Sequence, residues 1–176
     1  MNQGWALTRL LGIHAALRED LARLRRAADA LADTDRNPEA VTAALADLSI
    51  KDPGWSLRSQ CAQFCSFVQE HHATEDSVVF PMLLEHSAGA NGLGETIERL
   101  RADHRALAGH VDAVDQAVVA LPGDEAAAAA AINRLATHLE QHLDLEETAL
   151  AGALHAVSVA IPEDAVPPPP PERYRG

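Results

Sequence analysis

The sequence predicts an all-α fold: an antiparallel up-down-up-down four-helix bundle. Three observations predict it. Hydrophobic residues make up 47% of the 176 residues, but aromatics only 3%, and Ala and Leu dominate. That balance favours helix, because sheets prefer β-branched and aromatic side chains. Apolar residues recur at spacings of three and four along four long stretches, and helix breakers separate those stretches. The length suits one domain with a sizeable core.

The first stretch carries its apolar seam at Leu7, Leu10, His14, Leu17, Leu21, Leu24, Ala28 and Leu31, and "DTDRNPEA" ends it. Residues 38–48 are expected to form a small extra helix before Asp52-Pro53-Gly54. The second seam runs Leu57, Cys61, Phe64, Val68, His71, Glu75, Val78 and Met82, and "SAGANGLG" closes it. Pro81 should bend or end the regular helix there. The third seam is Ile97, Leu100, His104, Leu107, Val111, Val114, Val118 and Leu121. "LPGDE" is a turn short enough for antiparallel neighbours. The fourth is Ile132, Leu135, Leu139, His142, Glu146, Ala149 and Ala153, preceded by six alanines at 126–131 that are strong helix formers. The bundle is expected over residues 1–157, and residues 158–176, with a run of five prolines, read as a flexible tail.

Composition also excludes partners. A net charge of −12 with one lysine, Lys51, argues against a nucleic-acid or anionic-membrane surface. No apolar run approaches the ~20 residues that span a bilayer. The N-terminal "MNQGWALTRLLGIH" lacks the basic and apolar regions of a secretory signal. Cys61 and Cys65 stand one helical turn apart, a poor placement for a disulfide, so a reduced cytoplasmic protein is expected.

The polar residues inside the seams carry the chemistry. Each seam holds a histidine, and the second and fourth add a glutamate four residues on, as in "HHATEDSVVFP" and "HLDLEE". One buried histidine is usually a hydrogen-bonded core residue. Four histidines and two glutamates on four seams are harder to explain that way, because an unpaired buried carboxylate costs several kcal/mol. A metal site in the core supplies the missing positive charge. Position agrees: His14 lies about 18 residues, or roughly 27 Å, before the end of its helix, and the other groups lie at similar distances from theirs. An antiparallel bundle therefore gathers His14, His71, Glu75, His104, His142 and Glu146 into one layer.

"HHATED" aligns with "HLDLEE", His71 over His142 and Glu75 over Glu146. Both pairs are spaced i, i+4 and share one helix face. Two equivalent halves predict two metals, each with two imidazoles, and with the two carboxylates bridging. Imidazole plus carboxylate suits iron, with manganese or zinc as substitutes. The ferritin-like di-iron pattern needs Glu-x-x-His, and no histidine has a glutamate three residues before it.

Taken together, His14, "HHATEDSVVFP", "DHRAL" around His104 and "HLDLEE" resemble the hemerythrin-like, or HHE cation-binding, domain over about residues 7–155. The resemblance implies a centre of two Fe ions, oxo- or hydroxo-bridged, held by the same six residues. It also implies O2, hydrogen peroxide or NO as the small ligand. In one respect the sequence departs from the oxygen carriers of that family, which have a second histidine one turn after the third-helix ligand; Ala108 stands there. His138 is the candidate for a fifth imidazole, at the edge of the seam. His110, six residues past His104, faces elsewhere. Without His138 the site is poorer in histidine, and open positions favour reaction over reversible binding.

The flanking residues have milder expectations. His72, Asp76, Asp103 and Glu147 are read as partners that orient ligands, or as solvated groups. His86, His110 and His155 are read as exposed, and Cys61 as a small core hydrophobe. Phe64, Val68, Leu107 and Leu139 should wall the centre. The function expected first is reaction with O2 or peroxide in oxidative or nitrosative stress, catalase-like breakdown included; as an enzyme it would be a di-iron oxidoreductase. The alternatives are reversible O2 or NO binding or sensing, and a di-iron oxygenase acting on an organic substrate. Storage is disfavoured, since two sites hold little metal.

Overall fold

The computed structural model describes residues 4–33, 53–87 and 92–161, and all its regular structure is helical. Helix α1 spans Trp5–Ala32 and α2 spans Pro53–Thr74. A π-helical turn, Glu75–Val79, joins α2 to α3, Phe80–His86. Helix α4 covers Leu93–Val119 and α5 covers Glu125–Ala160. With α2, the turn and α3 counted as one arm, the molecule is a four-helix bundle whose last arm packs on both α1 and α4. The extra helix expected at 38–48 lies outside the described residues, as does the tail from 162. The side chain of Leu31 is likewise outside them. The last helix runs to Ala160, three residues beyond the expected end of the bundle.

Side-chain pairs fix the arm directions. Trp5 Nε1 donates to the Ile161 carbonyl at 2.8 Å, His14 meets Glu147 at 2.9 Å, and Arg25 meets Asn133 at 3.0 Å. Residue numbers rise along α1 as they fall along α5, so the two are antiparallel. The apolar clusters give the same sense for the other neighbours: core residues of 57–68 pack with those of 107–121 and 128–143, whereas Phe80 and Leu83 pack with those of 93–100 and 150–157. The arm starts are locally encoded. Gly92, at φ +82°, occupies a left-handed position ahead of α4 that other residues adopt only with strain. Asp124 caps α5 by accepting from the Ala127 amide at 3.1 Å.

The third seam is buried at every expected position from Ile97 to Leu121. The second is buried from Leu57 to Glu75 and then slips. Val78 is 58% exposed and Met82 only partly buried, while Phe80 and Leu83 are fully buried. The π-turn is the reason: it inserts one residue, so the core face moves one position along the chain. In the fourth seam Ala149 is exposed and Leu150 buried, the drift that 3.6 residues per turn imposes on a seven-residue pattern.

The apolar core falls into two clusters. One holds Phe64, Val68, Leu107 and Leu139, among others; the second is built around Phe80, Leu83, Ile97, Leu100 and Leu150. Between them lies a layer of buried polar residues. Large apolar side chains contribute roughly 1.5–3 kcal/mol each when fully buried, and this supports a layer whose unpaired polar atoms cost about 1–3 kcal/mol each. Among the described residues, no helix is long and apolar enough to cross a membrane.

Candidate metal centre

Seven residues make the polar layer: His14, His71, His72, Glu75, His104, His142 and Glu146, none more than 9% exposed. All six residues of the sequence-predicted ligand set are among them, and His72 is the addition. They form two groups that share Glu75. One contains His72, Glu75, His104 and His142; the other contains His14, His71, Glu75 and Glu146. Within each group the donor atoms lie within 4.8 Å of one another. Metal–ligand bonds of roughly 2.0–2.2 Å allow donors on opposite sides of one ion to stand at most about 4.4 Å apart. Each group therefore needs only small shifts to close on a cation.

Contacts between the groups are short. His71 Nε2 lies 3.1 Å from Glu75 Oε1 and 3.3 Å from His14 Nε2, and His104 Nε2 lies 3.5 Å from Glu75 Oε2. Glu146 Oε2 stands 3.4 Å from His14 Nε2 and 3.7 Å from His142 Nε2. Both carboxylates thus reach histidines of both groups.

Nearly all these inward atoms lack a hydrogen bond. Both carboxylate oxygens of Glu75 and of Glu146, with the Nε2 atoms of His72, His104 and His142, are buried and unpartnered. Buried polar atoms are paired in the great majority of proteins, so seven orphans facing one another form a donor set that lacks its acceptor. A divalent cation fits it: imidazole nitrogens and carboxylate oxygens are its usual ligands.

The outward nitrogens, by contrast, are satisfied. His14 Nδ1 faces Glu147 Oε1 at 2.9 Å, His104 Nδ1 faces Asp76 Oδ1 at 3.1 Å, and His142 Nδ1 faces Asp103 Oδ2 at 3.0 Å. A carboxylate only accepts, so each Nδ1 carries the proton and each Nε2 turns its lone pair inward. Arg18 braces Glu147 at 2.6 Å and Asp144 at 2.7 Å. Asp76, Asp103 and Glu147 thus lie on imidazoles of the buried layer.

Electrostatics favour neutral imidazoles. Burial, then the neighbouring His14, lowers the His71 pKa from 6.5 to about 3. Burial is also the largest cause for His72, His104 and His142, all pushed down. Glu75 is driven well above the carboxylate range by burial and then by the charge of Glu146. Burial alone would raise Glu146 too, but the close approach of His14, with His142 and His71, holds it below the usual value.

Residues at the edges fall as follows. His138 is in neither group; its Nε2 contacts Asp103 Oδ1 at 2.9 Å and its ring meets His110 edge-on at 5.2 Å. His86 and His110 are half-buried rather than exposed, and His155 is exposed. Cys61 and Cys65 are free and buried, and burial pushes the Cys65 thiol up to about 12, which makes it a poor nucleophile.

His72 is the residue sequence reasoning missed. In the alignment of "HHATED" with "HLDLEE" it falls over Leu143, so the internal echo hides it. A signal was present in its spacing, four residues after Val68 and three before Glu75. Its ring stacks on His104, centroids 4.1 Å apart, and meets His142 edge-on. The two halves of the centre are therefore unequal, with three imidazoles in one and two in the other.

Residues 6–154 match the family model described as the hemerythrin HHE cation binding domain. No curated protein and no solved structure matches the chain significantly. With most of its length matched, and with a buried layer of histidines and glutamates suited to cations, the chain belongs to the hemerythrin HHE cation-binding domain family.

Proposed function

We propose that the layer holds two iron ions, bridged by Glu75 and Glu146, and that one small ligand, O2, hydrogen peroxide or NO, binds at the ion held by His14 and His71. The observation that supports this is the unequal division of imidazoles. Glu75 stands in both groups, and Glu146 Oε2 lies 3.7 Å from His142 Nε2 of the first; with both carboxylates shared, three imidazoles would leave less room around one ion than two would leave around the other. Iron would supply the electrons for such a ligand. The chain supplies Nε2 lone pairs, held by Glu147, Asp76 and Asp103, and apolar layers on both sides that limit water.

Reaction with O2 or peroxide, as a di-iron oxidoreductase handling oxidative or nitrosative stress, was expected because the site looked poor in histidine. His72 removes that reason by bringing the imidazoles to five. The same observation favours the second reading, reversible O2 or NO binding in carriage or sensing. Buried, free Cys61 and Cys65 agree with a reducing, cytoplasmic setting.

One experiment separates the two readings. Iron-loaded protein is reduced without air, its metal counted, and its optical spectrum followed during exposure to O2 and then purging. A band that appears and disappears on purging supports binding. Irreversible conversion to a ferric spectrum, with peroxide turnover, supports reaction. Failure to retain two irons per chain overturns the proposal.

A further inference from the structure

The π-turn stands beside the centre, and its backbone arithmetic is unusual. The Phe80 amide donates to the Glu75 carbonyl, five residues back. The next bond of that ladder would run from residue 81 to the Asp76 carbonyl, but Pro81 has no N–H. Proline thereby removes the five-residue donor to the Asp76 carbonyl. Arg101 of α4 fills the vacancy: its Nη2 donates to that carbonyl at 3.3 Å. Its Nε lies 3.8 Å from Asp76 Oδ1, and its guanidinium sits 6.0 Å from the centre of the Phe80 ring.

Arg101 lies one turn before His104 on α4, so this contact docks the helix at the level of the ligand. The turn has a second effect there. A π-turn holds more residues than an α-turn, so consecutive side chains diverge by less than the about 100° of an α-helix. Glu75 and Asp76, adjacent in sequence, consequently reach opposite nitrogens of one imidazole: Glu75 Oε2 stands 3.5 Å from His104 Nε2, and Asp76 Oδ1 stands 3.1 Å from His104 Nδ1. Phe80 closes the grip by stacking on the same ring, centroids 5.6 Å apart.

We propose that Pro81, the π-turn, Asp76 and Arg101 form a positioning device for His104, in which one additional residue, Val78, is accommodated so that Asp76 can hold Nδ1 of the ring while the adjacent Glu75 faces its Nε2. None of the three named side chains is a ligand; they act through His104. Val78 is the natural insertion, because it is 58% exposed. Removing it would bring Glu75, Phe80 and Leu83 into the ordinary four- and three-residue spacing of an α-helix. Pro81 would have to go as well, since its ring would clash with the preceding turn of a regular helix.

The inference rests on the metal-binding reading above, and the test separates the two. The parent chain is compared with Asp76→Ala, with Asp76→Asn, and with a variant lacking Val78 and carrying Pro81→Ala. Fe(II) is titrated anaerobically against a competing chelator, and the metal-free thermal midpoint and helicity are read by circular dichroism. The expected result is that one of the two iron-binding steps weakens by about 10–100-fold in Asp76→Ala and in the deletion variant. Asp76→Asn, which keeps an acceptor oxygen, recovers part of that loss. The deletion variant keeps its helicity and a midpoint no lower than that of the parent.

Two unaltered steps in Asp76→Ala overturn the grip on His104, and an unfolded deletion variant overturns the assignment of Val78 as the additional residue. A parent chain that takes up no iron in either step overturns the metal-binding reading itself.

Discussion

The rings of His72 and His104 lie 4.1 Å apart and within 9° of parallel, and neither Nε2 has a hydrogen-bond partner. Two neutral imidazoles with inward lone pairs and nothing to receive them are a liability to a metal-free core. In His72→Leu the unsatisfied atom is replaced by apolar volume. The metal-free chain should gain about 1–3 kcal/mol, which raises the thermal midpoint of a domain this size by a few degrees. Iron binding should weaken in the same variant. A lowered midpoint with unaltered iron content would make His72 an ordinary core residue.

Glu75 belongs to both donor groups, and Glu146 stands within 3.7 Å of a histidine from each. Replacing either with Ala should abolish binding of two irons per chain while leaving a helical bundle. The metal-free forms should tolerate the change, because each substitution deletes buried oxygens that lack partners. Metal counting after loading is the check. Two irons and an unchanged spectrum in either variant would dismiss the bridging role.

Sequence pattern carried the fold and most of the site because the relevant physics is periodic. A seam residue is buried because of its spacing, and His14, His104 and His142 inherit their burial from the apolar residues one turn either side. What escaped the pattern was aperiodic. Pro81 could be read as a helix breaker, but not as the origin of a π-turn that exposes Val78 and buries Phe80. His72 sits beside the seam rather than on it, and it faces inward because the arm meets α4 and α5 together, which a one-helix pattern does not encode. The carboxylates that hold the Nδ1 atoms were recognisable by type, but their pairings cross between helices. Only the packed bundle joins Glu147 to His14 or Asp103 to His142.

His138 contacts Asp103, and Asp103 contacts His142, so it reaches the centre at two removes. As a first ligand, its loss would cost a bound metal. As a support for Asp103, its loss should leave two irons per chain. His138→Ala should therefore keep the iron count and shift the spectrum only slightly. Loss of one iron would restore it as a direct ligand.

Acid should destabilise the metal-free chain, and the sign follows from the buried histidines. In the unfolded chain an imidazole takes up its proton near pH 6.5, whereas His71 in the fold stays neutral down to about pH 3. Between those values the unfolded chain holds the additional proton, so stability rises with pH and is lost as pH falls from about 6.5 toward 3. His72, His104 and His142 are pushed the same way, each contributing about 1.4 kcal/mol per pH unit inside its own window. Glu75 opposes them: its raised carboxyl keeps a proton that the unfolded chain releases above about pH 4.5, so it costs stability as pH rises. Four imidazoles outweigh one carboxyl. The thermal midpoint of metal-free protein should therefore fall steadily from pH 7 to pH 5, and the slope should be shallower in His72→Leu, which removes one of the four. Equal slopes for the two proteins would mean that His72 does not titrate as a buried neutral group.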